Sequence, residues 1–255
     1  MPQPGTRSRK LANATRRAVQ HPAWLQENLR AKLRARSDRA RRFVLADYAE
    51  HLCSVAEALG HAFGVSVSQY GALASRVRIP PAPEHSIWGG GEDLLNLTGS
   101  LVLLRQPSVV LETGVAMGFS TAVILAAMEE NGVGVLHSID LPPMQVDAQF
   151  VGKIVPADLR SRWRLHVGPT RTLLPRIART VAPLDLFVHD SDHSYAGQVE
   201  GYRQAWPYLA RGACLVSDDV CNPAFVDFAL EIRERPFLIA PPGHSAAVGL
   251  LVKTR

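Results

Sequence analysis

One short stretch near the middle of the chain limits its fold more than any other. A β-branched apolar run, 109–111, is followed by Glu112 and Thr113, and then Gly114 and Gly118 stand four residues apart. Helix-forming residues follow from 122 to 130. This order predicts a strand, a tight turn and a helix, the unit that opens an α/β sheet and binds nucleotide-like ligands at the carboxyl end of the strand. Glycines there let the backbone approach a ligand, and the helix N-terminus presents unpaired N–H groups.

The glycine spacing and the neighbouring acids indicate which ligand this turn binds. Dinucleotide-binding turns read G-x-G-x-x-G, whereas this turn reads G-x-x-x-G behind Glu112. A carboxylate there would repel a pyrophosphate but suits an ammonium group and ribose hydroxyls, which S-adenosylmethionine (SAM) carries without a phosphate. The next predicted strand, 134–139, ends in Asp140, and an acid at that position commonly accepts hydrogen bonds from ribose. We therefore expect a SAM site. The residues expected to form it are Glu112, Thr113, Gly114, Gly118, Ser120 and Asp140.

Strand-like and helix-like segments alternate from here to the end of the chain. Strands are expected at 108–112, 134–139, 163–167, 184–189 and 213–217, which predicts a parallel sheet with helices on both faces. Two further strands, 237–240 and 246–252, are separated by a gap too short for a crossover helix, so they should be antiparallel. The expected fold class is a Rossmann-like α/β sheet of seven strands, the last one antiparallel, with a helical extension at the N-terminus.

The first third of the chain differs from the rest in charge and pattern. Residues 1–42 hold 12 Lys or Arg against two acids, a net charge of +10, so the overall +5 leaves −5 for the remainder. We expect residues 1–20 to be a disordered basic arm and 21–91 to be a helical extension and substrate-side lid, with helices over 22–35 and 43–63. A catalytic domain should span 92–255, beginning with a helix over 92–104. The basic arm fits either a contact with nucleic acid or another acidic partner, or a solvated helix face.

Other bulk features bound the class of protein. The three cysteines form no C-x-x-C pair, and no apolar run approaches the length that crosses a bilayer. The N-terminus lacks the apolar core of a secretory signal. We therefore expect a cytoplasmic protein with reduced thiols and no membrane span. The sequence does not fix the oligomeric state, although an N-terminal helical extension often contributes to the contact of a homodimer.

Acidic residues follow two neighbouring strands of the predicted sheet. The strand 184–189 runs into Asp190, Ser191, Asp192 and His193, and the strand 213–217 ends in Asp218 and Asp219. Such a concentration of carboxylates is costly unless a cation joins it, and hard oxygen ligands without cysteine favour Mg²⁺, Mn²⁺ or Ca²⁺. The alternative is helix capping, by Asp192 or Ser194 for the next helix and by Asp219 for a helix near Pro223.

From about residue 91 to residue 255 the sequence resembles the SAM-dependent O-methyltransferases of the catechol and caffeoyl-CoA type. It is still more similar to their bacterial relatives that act on sugars and natural products. The matching segments are 112–121, 139–140, 188–193 and 217–219. The resemblance implies the class I methyltransferase sheet, Mg²⁺ held by Asp190, Asp218 and Asp219, and a catalytic role for His193, where the family commonly has lysine. The Asp-Asp pair at 218–219 departs from the Asp-Asn of the catechol and caffeoyl members.

These features together predict transfer of a methyl group from SAM to a hydroxyl oxygen of a small molecule, a sugar or natural product, assisted by a divalent ion. His193 would accept the hydroxyl proton, Asp190 would be the second catalytic residue, and Asp192 would lie near the SAM ammonium group. Three alternatives stay open: a non-catalytic SAM- or partner-binding module, a nicotinamide-dependent oxidoreductase, and an RNA acceptor bound through the basic arm. Nucleic acid is the less favoured partner, because the basic arm has no interleaved aromatic residues.

Overall fold

The N-terminal part of the protein is built differently from its sequence pattern. The computed structural model describes residues 45–81, 91–141, 148–241 and 244–255, so the basic arm and the helix predicted over 22–35 lie outside the described residues. The single helix predicted over 43–63 is wrong: a 3₁₀ helix, Leu45–His51, leads into a two-residue strand and only then into an α-helix. Tyr48 interrupts the 3₁₀ helix with φ −117° and ψ 31°. The α-helix begins after Ser54, which exchanges hydrogen bonds with Glu57 in a capping box.

The remaining elements follow the predicted alternation. In chain order the first elements are β1 (Leu52–Cys53), α1 (Val55–Phe63), α2 (Val67–Ala74) and α3 (Glu92–Arg105). They are followed by β2 (Val109–Thr113), α4 (Phe119–Asn131), β3 (Val135–Asp140), β4 (Trp163–Val167), α5 (Thr170–Val181) and β5 (Leu184–His189). The last are α6 (Tyr195–Ala205), β6 (Leu209–Val220), α7 (Ala224–Ile232), β7 (Phe237–Ile239) and β8 (Ala247–Val252). Helix α2 lies within the extension predicted over 21–91, and residues 82–90 of that extension lie outside the described chain.

One mixed sheet contains all the strands of the described residues, in the order β1-β7-β8-β6-β5-β2-β3-β4. Only β8 runs antiparallel to its neighbours, which confirms the predicted antiparallel last strand. The described residues form eight strands rather than seven, because Leu52 and Cys53 pair with Leu238 and Ile239 at the edge. Within the part of the chain that the structure describes, no helix has both the length and the apolar character needed to cross a membrane.

Helices cover both faces of the sheet, so the strands are buried on both sides. Val110 packs toward α1, α3 and α4 in one core, whereas Leu111 packs toward α5, α6 and α7 in the other. Both side chains are fully buried. Burial of one such side chain stabilises the fold by about 1.5–3 kcal/mol. This double burial explains why the strands read as continuous apolar runs rather than as alternating ones.

The chain order changes direction between β2 and β5. From β2 the chain continues to β3 and β4 on one side, and it returns to β5 and β6 on the other. Thr113 and His189 lie opposite each other at the ends of these two strands, and the Asp190 N–H donates to the Thr113 carbonyl at 2.7 Å. A crevice forms at the carboxyl ends of strands where the order reverses, and ligands bind there. The fold therefore brings the glycine turn and the predicted acids to the same edge.

Candidate active site

The turn after β2 requires glycine because of protein packing as well as backbone angle. Gly114 has φ +86°, and a Cβ added to it would lie 1.7 Å from the Asp190 carbonyl oxygen. Gly118, just before α4, has φ +99°, and its Cβ would lie 2.7 Å from Cγ2 of Val155. From the sequence alone, these glycines are expected to let the backbone approach a ligand. The structure adds that the turn is pressed against the loop after β5 and the segment 152–155.

Glu112 lies beneath the turn and is completely buried. Its Oε1 accepts a hydrogen bond from the Ser120 hydroxyl, and its Oε2 accepts from Thr121 and Ser138, each at 2.7 Å. Burial raises the pKa of this carboxyl to about 7, although the three hydroxyl groups oppose the shift. Glu112 thereby joins the first turn of α4 to β3. Its predicted contact with SAM stays a prediction.

Asp140, at the end of β3, holds the glycine turn from the other side. Its Oδ2 accepts from the Val115 N–H at 2.7 Å and from the Ala116 N–H at 2.8 Å. The side chain is nearly buried, and burial raises its pKa although the two N–H groups oppose the shift. Among the described residues Oδ1 has no hydrogen-bond partner. One oxygen of Asp140 therefore shapes the turn, and the predicted bond of this side chain to a ribose hydroxyl stays a prediction.

His193 lies between two of the predicted acids. Its Nδ1 is 3.0 Å from Oδ2 of Asp219, and its Nε2 is 3.3 Å from Oδ1 of Asp190, an ion-pair contact without hydrogen-bond alignment. Burial opposes a charge on His193, but the two carboxylates outweigh it and raise its pKa to about 10. The hydrogen bond from His193 lowers the pKa of Asp219 in turn. The two carboxylates therefore favour the imidazolium form of His193, whereas the proton-accepting role predicted from the sequence needs the neutral ring and stays a prediction.

The third predicted acid, Asp218, completes the cluster. Burial, with the charges of Asp190 and Asp219, raises its pKa to about 7. Burial also raises the pKa of Asp190. The structure thus brings Asp190, His193, Asp218 and Asp219 together, as expected from neighbouring strand ends.

This arrangement does not fit a divalent cation. Among the described residues, no three His, Cys, Asp or Glu side chains are arranged as a metal site. The imidazole of His193 stands between the Asp190 and Asp219 carboxylates, which point at the ring rather than at a common centre. The binding of Mg²⁺ by Asp190, Asp218 and Asp219 stays a prediction.

The first residues of α6 and α7 show which side chains cap these two helices. Ser194 caps α6, since its hydroxyl accepts from the Gly197 N–H at 3.1 Å. Oδ1 of Asp192 accepts from the Ser194 N–H at 3.1 Å, and its carboxyl packs against Gly197. Asp192 thus takes part in the start of α6, and its predicted position near the SAM ammonium group stays untested.

Two buried amides near the acids were not anticipated from the sequence. Asn222 accepts from the Ala224 N–H at the start of α7, the position assigned to Asp219 by the capping alternative. Gln198 lies in α6 and is fully buried beside it. The asparagine before Pro223 is a recognisable helix-start signal, but nothing in the sequence distinguishes Gln198 from other helix residues.

The glycine turn and the acid cluster adjoin directly. The Ser191 hydroxyl donates to Oγ1 of Thr113 at 3.2 Å, and the two strand ends are joined by the backbone bond from Asp190 to Thr113. Thr113 and Ser120 are both buried, and their predicted contact with SAM stays a prediction. The glycine turn, Asp140 and the cluster of His193 with its carboxylates therefore lie together at the carboxyl edge of the sheet.

Known proteins share this fold. Residues 111–220 match the family model of a methyltransferase domain. The O-methyltransferase TomG from Streptomyces achromogenes, solved with SAM, is 21% identical, with a TM-score of 0.51 over 62% of this chain and 78% of that chain. The O-methyltransferase from Bacillus cereus, solved with SAH, is 17% identical, with a TM-score of 0.51 over 78% of this chain and 97% of that chain. A comparison with curated protein sequences gave no match. The chain therefore matches a methyltransferase domain over residues 111–220 and shares the fold of these two O-methyltransferases.

Proposed function

We propose that this protein transfers the methyl group of SAM to a hydroxyl oxygen of a small molecule, such as a sugar or a natural product. The observation that carries the proposal is that the glycine turn and the His193 cluster adjoin at one edge of the sheet, where the Asp190 N–H donates to the Thr113 carbonyl at 2.7 Å. A methyl donor on the turn would then lie beside groups able to receive a proton. TomG and the Bacillus cereus enzyme, with the same fold, support the donor and the acceptor atom.

The proposed reaction is an in-line displacement. The acceptor oxygen attacks the sulfonium methyl carbon, the carbon–sulfur bond breaks, and S-adenosylhomocysteine leaves. The hydroxyl proton passes to the Asp190 carboxylate, whose raised pKa makes it a stronger base than an ordinary aspartate. His193 contributes its positive charge beside the acceptor oxygen, where a cation favours loss of the hydroxyl proton.

The alternatives make different predictions in one assay. Tritiated SAM is incubated with the protein and a panel of hydroxyl acceptors, for example a catechol and a methyl glycoside, and the organic product is counted. A non-catalytic SAM-binding module would bind SAM without product, and an oxidoreductase would bind NADH instead. Product formed on added RNA, and lost on deletion of 1–42, would indicate the RNA acceptor.

Replacing Asp140 by alanine is expected to weaken SAM binding by roughly 10- to 100-fold, about 1.4–2.8 kcal/mol. The substitution removes the acceptor for the Val115 and Ala116 N–H groups and the oxygen available to ribose. Titration calorimetry with SAM measures the change.

Asp185 supplies a matched control for this substitution. Its Oδ2 also accepts from two backbone N–H groups, those of Ser108 and Val109, but at the start of β2. Asp185→Ala should therefore cost stability and leave SAM affinity unchanged. Equal SAM affinities in Asp140→Ala and Asp185→Ala would remove Asp140 from the cofactor site.

The predicted divalent ion and His193 would compete for the same carboxylates. His193→Ala frees Asp190 and Asp219, so we expect Mn²⁺ to bind this variant more tightly than the wild type. Calorimetry with Mn²⁺ alone tests this. Adding Asp218→Asn to the His193→Ala variant should abolish the increase in Mn²⁺ affinity. A wild type that binds Mn²⁺ as tightly as His193→Ala, and loses turnover in EDTA, would contradict the ring-filled arrangement and support the metal.

A further inference from the structure

A pair of buried amides joins the two loops that carry the acid cluster. The Asn222 side chain is 5% exposed, and its Nδ2 donates to the His193 carbonyl at 2.9 Å and to Oε1 of Gln198 at 2.8 Å. Nε2 of Gln198 reaches the Asp218 carbonyl at 3.4 Å and the Asp219 carbonyl at 3.3 Å. The amide pair thus connects the loop after β5 to the end of β6.

The orientation of both amides is fixed by their partners. The Ala224 N–H can only donate, so the atom of Asn222 that faces it at 2.9 Å must be the oxygen. Nδ2 of Asn222 therefore faces His193 and Gln198, and Oε1 of Gln198 must accept from it. Nε2 of Gln198 is then left to donate to the two carbonyls. No single amide can rotate without placing an oxygen against an oxygen.

The backbone that the amide pair holds is strained at a carboxylate of the cluster. Asp219 has φ +46°, a left-handed angle that is unfavourable for a residue with a Cβ. The pairing of β6 with β8 also changes register between Ser217 and Val220. Strained backbone persists only where its surroundings hold it. Bonds to the Asp218 and Asp219 carbonyls supply such restraint from outside the strand.

We propose that Asn222, acting with Gln198, is a positioning residue that sets His193 against Asp219 for methyl transfer. The inference rests on the proposed function and deepens it, since Asn222 binds the backbone of His193 and none of the cofactor-side residues. Its loss should move the imidazole relative to the acceptor oxygen and leave the glycine turn intact. Misplacement of about 1 Å in a catalytic group costs roughly 100-fold in rate.

The test is Asn222→Asp, which keeps the shape and the acceptor for Ala224 but removes the donor to His193 and Gln198. We expect kcat, measured with tritiated SAM and an acceptor from the panel that the wild type methylates, to fall by roughly 10- to 100-fold. SAM affinity should be unchanged. Asn131→Asp is the matched control, because Nδ2 of Asn131 also donates to one backbone carbonyl, that of Val102 at 2.7 Å, at the far end of α4. In a His193→Gln background, Asn222→Asp should cause no further loss of kcat.

Several results would overturn the assignment. They are unchanged kcat in Asn222→Asp, an equal loss in Asn131→Asp, weakened SAM binding, or a full additional loss in the His193→Gln background. Hydrogen exchange separates this inference from the proposed function. If the wild type methylates nothing, faster exchange at 190–194 in Asn222→Asp, but not in Asn131→Asp, would still support the positioning role, and unchanged exchange would end it.

Discussion

Gly114→Ala should abolish SAM binding and destabilise the protein by several kcal/mol, on the order of 4 or more. Two costs combine at this position. The φ of +86° costs an alanine about 1–2 kcal/mol, and the new Cβ would lie 1.7 Å from a backbone oxygen, that of Asp190. A backbone carbonyl cannot move aside as a flexible side chain does, so the loop after β5 must separate from the turn. Urea denaturation and SAM calorimetry measure the two effects.

Gly132→Ala measures the cost of the left-handed backbone angle without a steric clash. Gly132 ends α4 with φ +72°, and a Cβ added there would meet no atom within 4 Å. We expect this variant to lose about 1–2 kcal/mol and to keep its SAM affinity. If Gly114→Ala were no less stable than Gly132→Ala and still bound SAM, the close contact between turn and loop would be refuted.

The sheet could be predicted because its signals are local and periodic. The apolar runs of β2, β3 and β5 mark strands buried on both faces, and the short connection before β8 permits only an antiparallel neighbour. The same reliance on local signals explains why the single helix predicted over 43–63 is wrong. Apolar residues from 43 to 63 keep a helical period, but Ser54 caps a new helix and Leu52 and Cys53 pair with β7. A pairing between residues 52 and 238 leaves no mark on local periodicity.

The candidate site, too, could be predicted from the sequence only in part. Strand ends predicted that Asp190, Asp218 and Asp219 would meet, since parallel strands finish at one edge. The sequence could not predict that the His193 ring would stand between Asp190 and Asp219, because side-chain direction depends on packing around the loop. Nor could it predict that Glu112 would bind three hydroxyls from two elements. The position of the His193 ring favours the charged form of the histidine, and the three hydroxyl groups give the buried Glu112 carboxylate its partners within the protein.

The charge on His193 leads to a prediction about turnover. His193→Gln keeps polar contacts with the two carboxylates but removes the positive charge beside the acceptor oxygen. We expect kcat to fall by roughly 10²- to 10³-fold, the usual effect of removing one group that stabilises charge in the transition state. SAM affinity should be unchanged, because the proposed cofactor contacts lie on the glycine turn and Asp140. His61→Gln on α1, stacked on Phe237 at the opposite edge of the sheet, is the control.

His193→Lys distinguishes a cationic role from a basic one. A lysine between Asp190 and Asp219 is a cation at neutral pH, since its ordinary pKa is about 10.4. If His193 acts through its charge, the lysine variant should recover much of the activity that His193→Gln loses. If a neutral imidazole instead accepts the proton, the lysine variant should be as slow as His193→Gln at neutral pH and should gain rate only as the pH approaches the pKa of the lysine. Kinetics of the two variants from neutral to alkaline pH therefore decide which species of His193 performs the transfer.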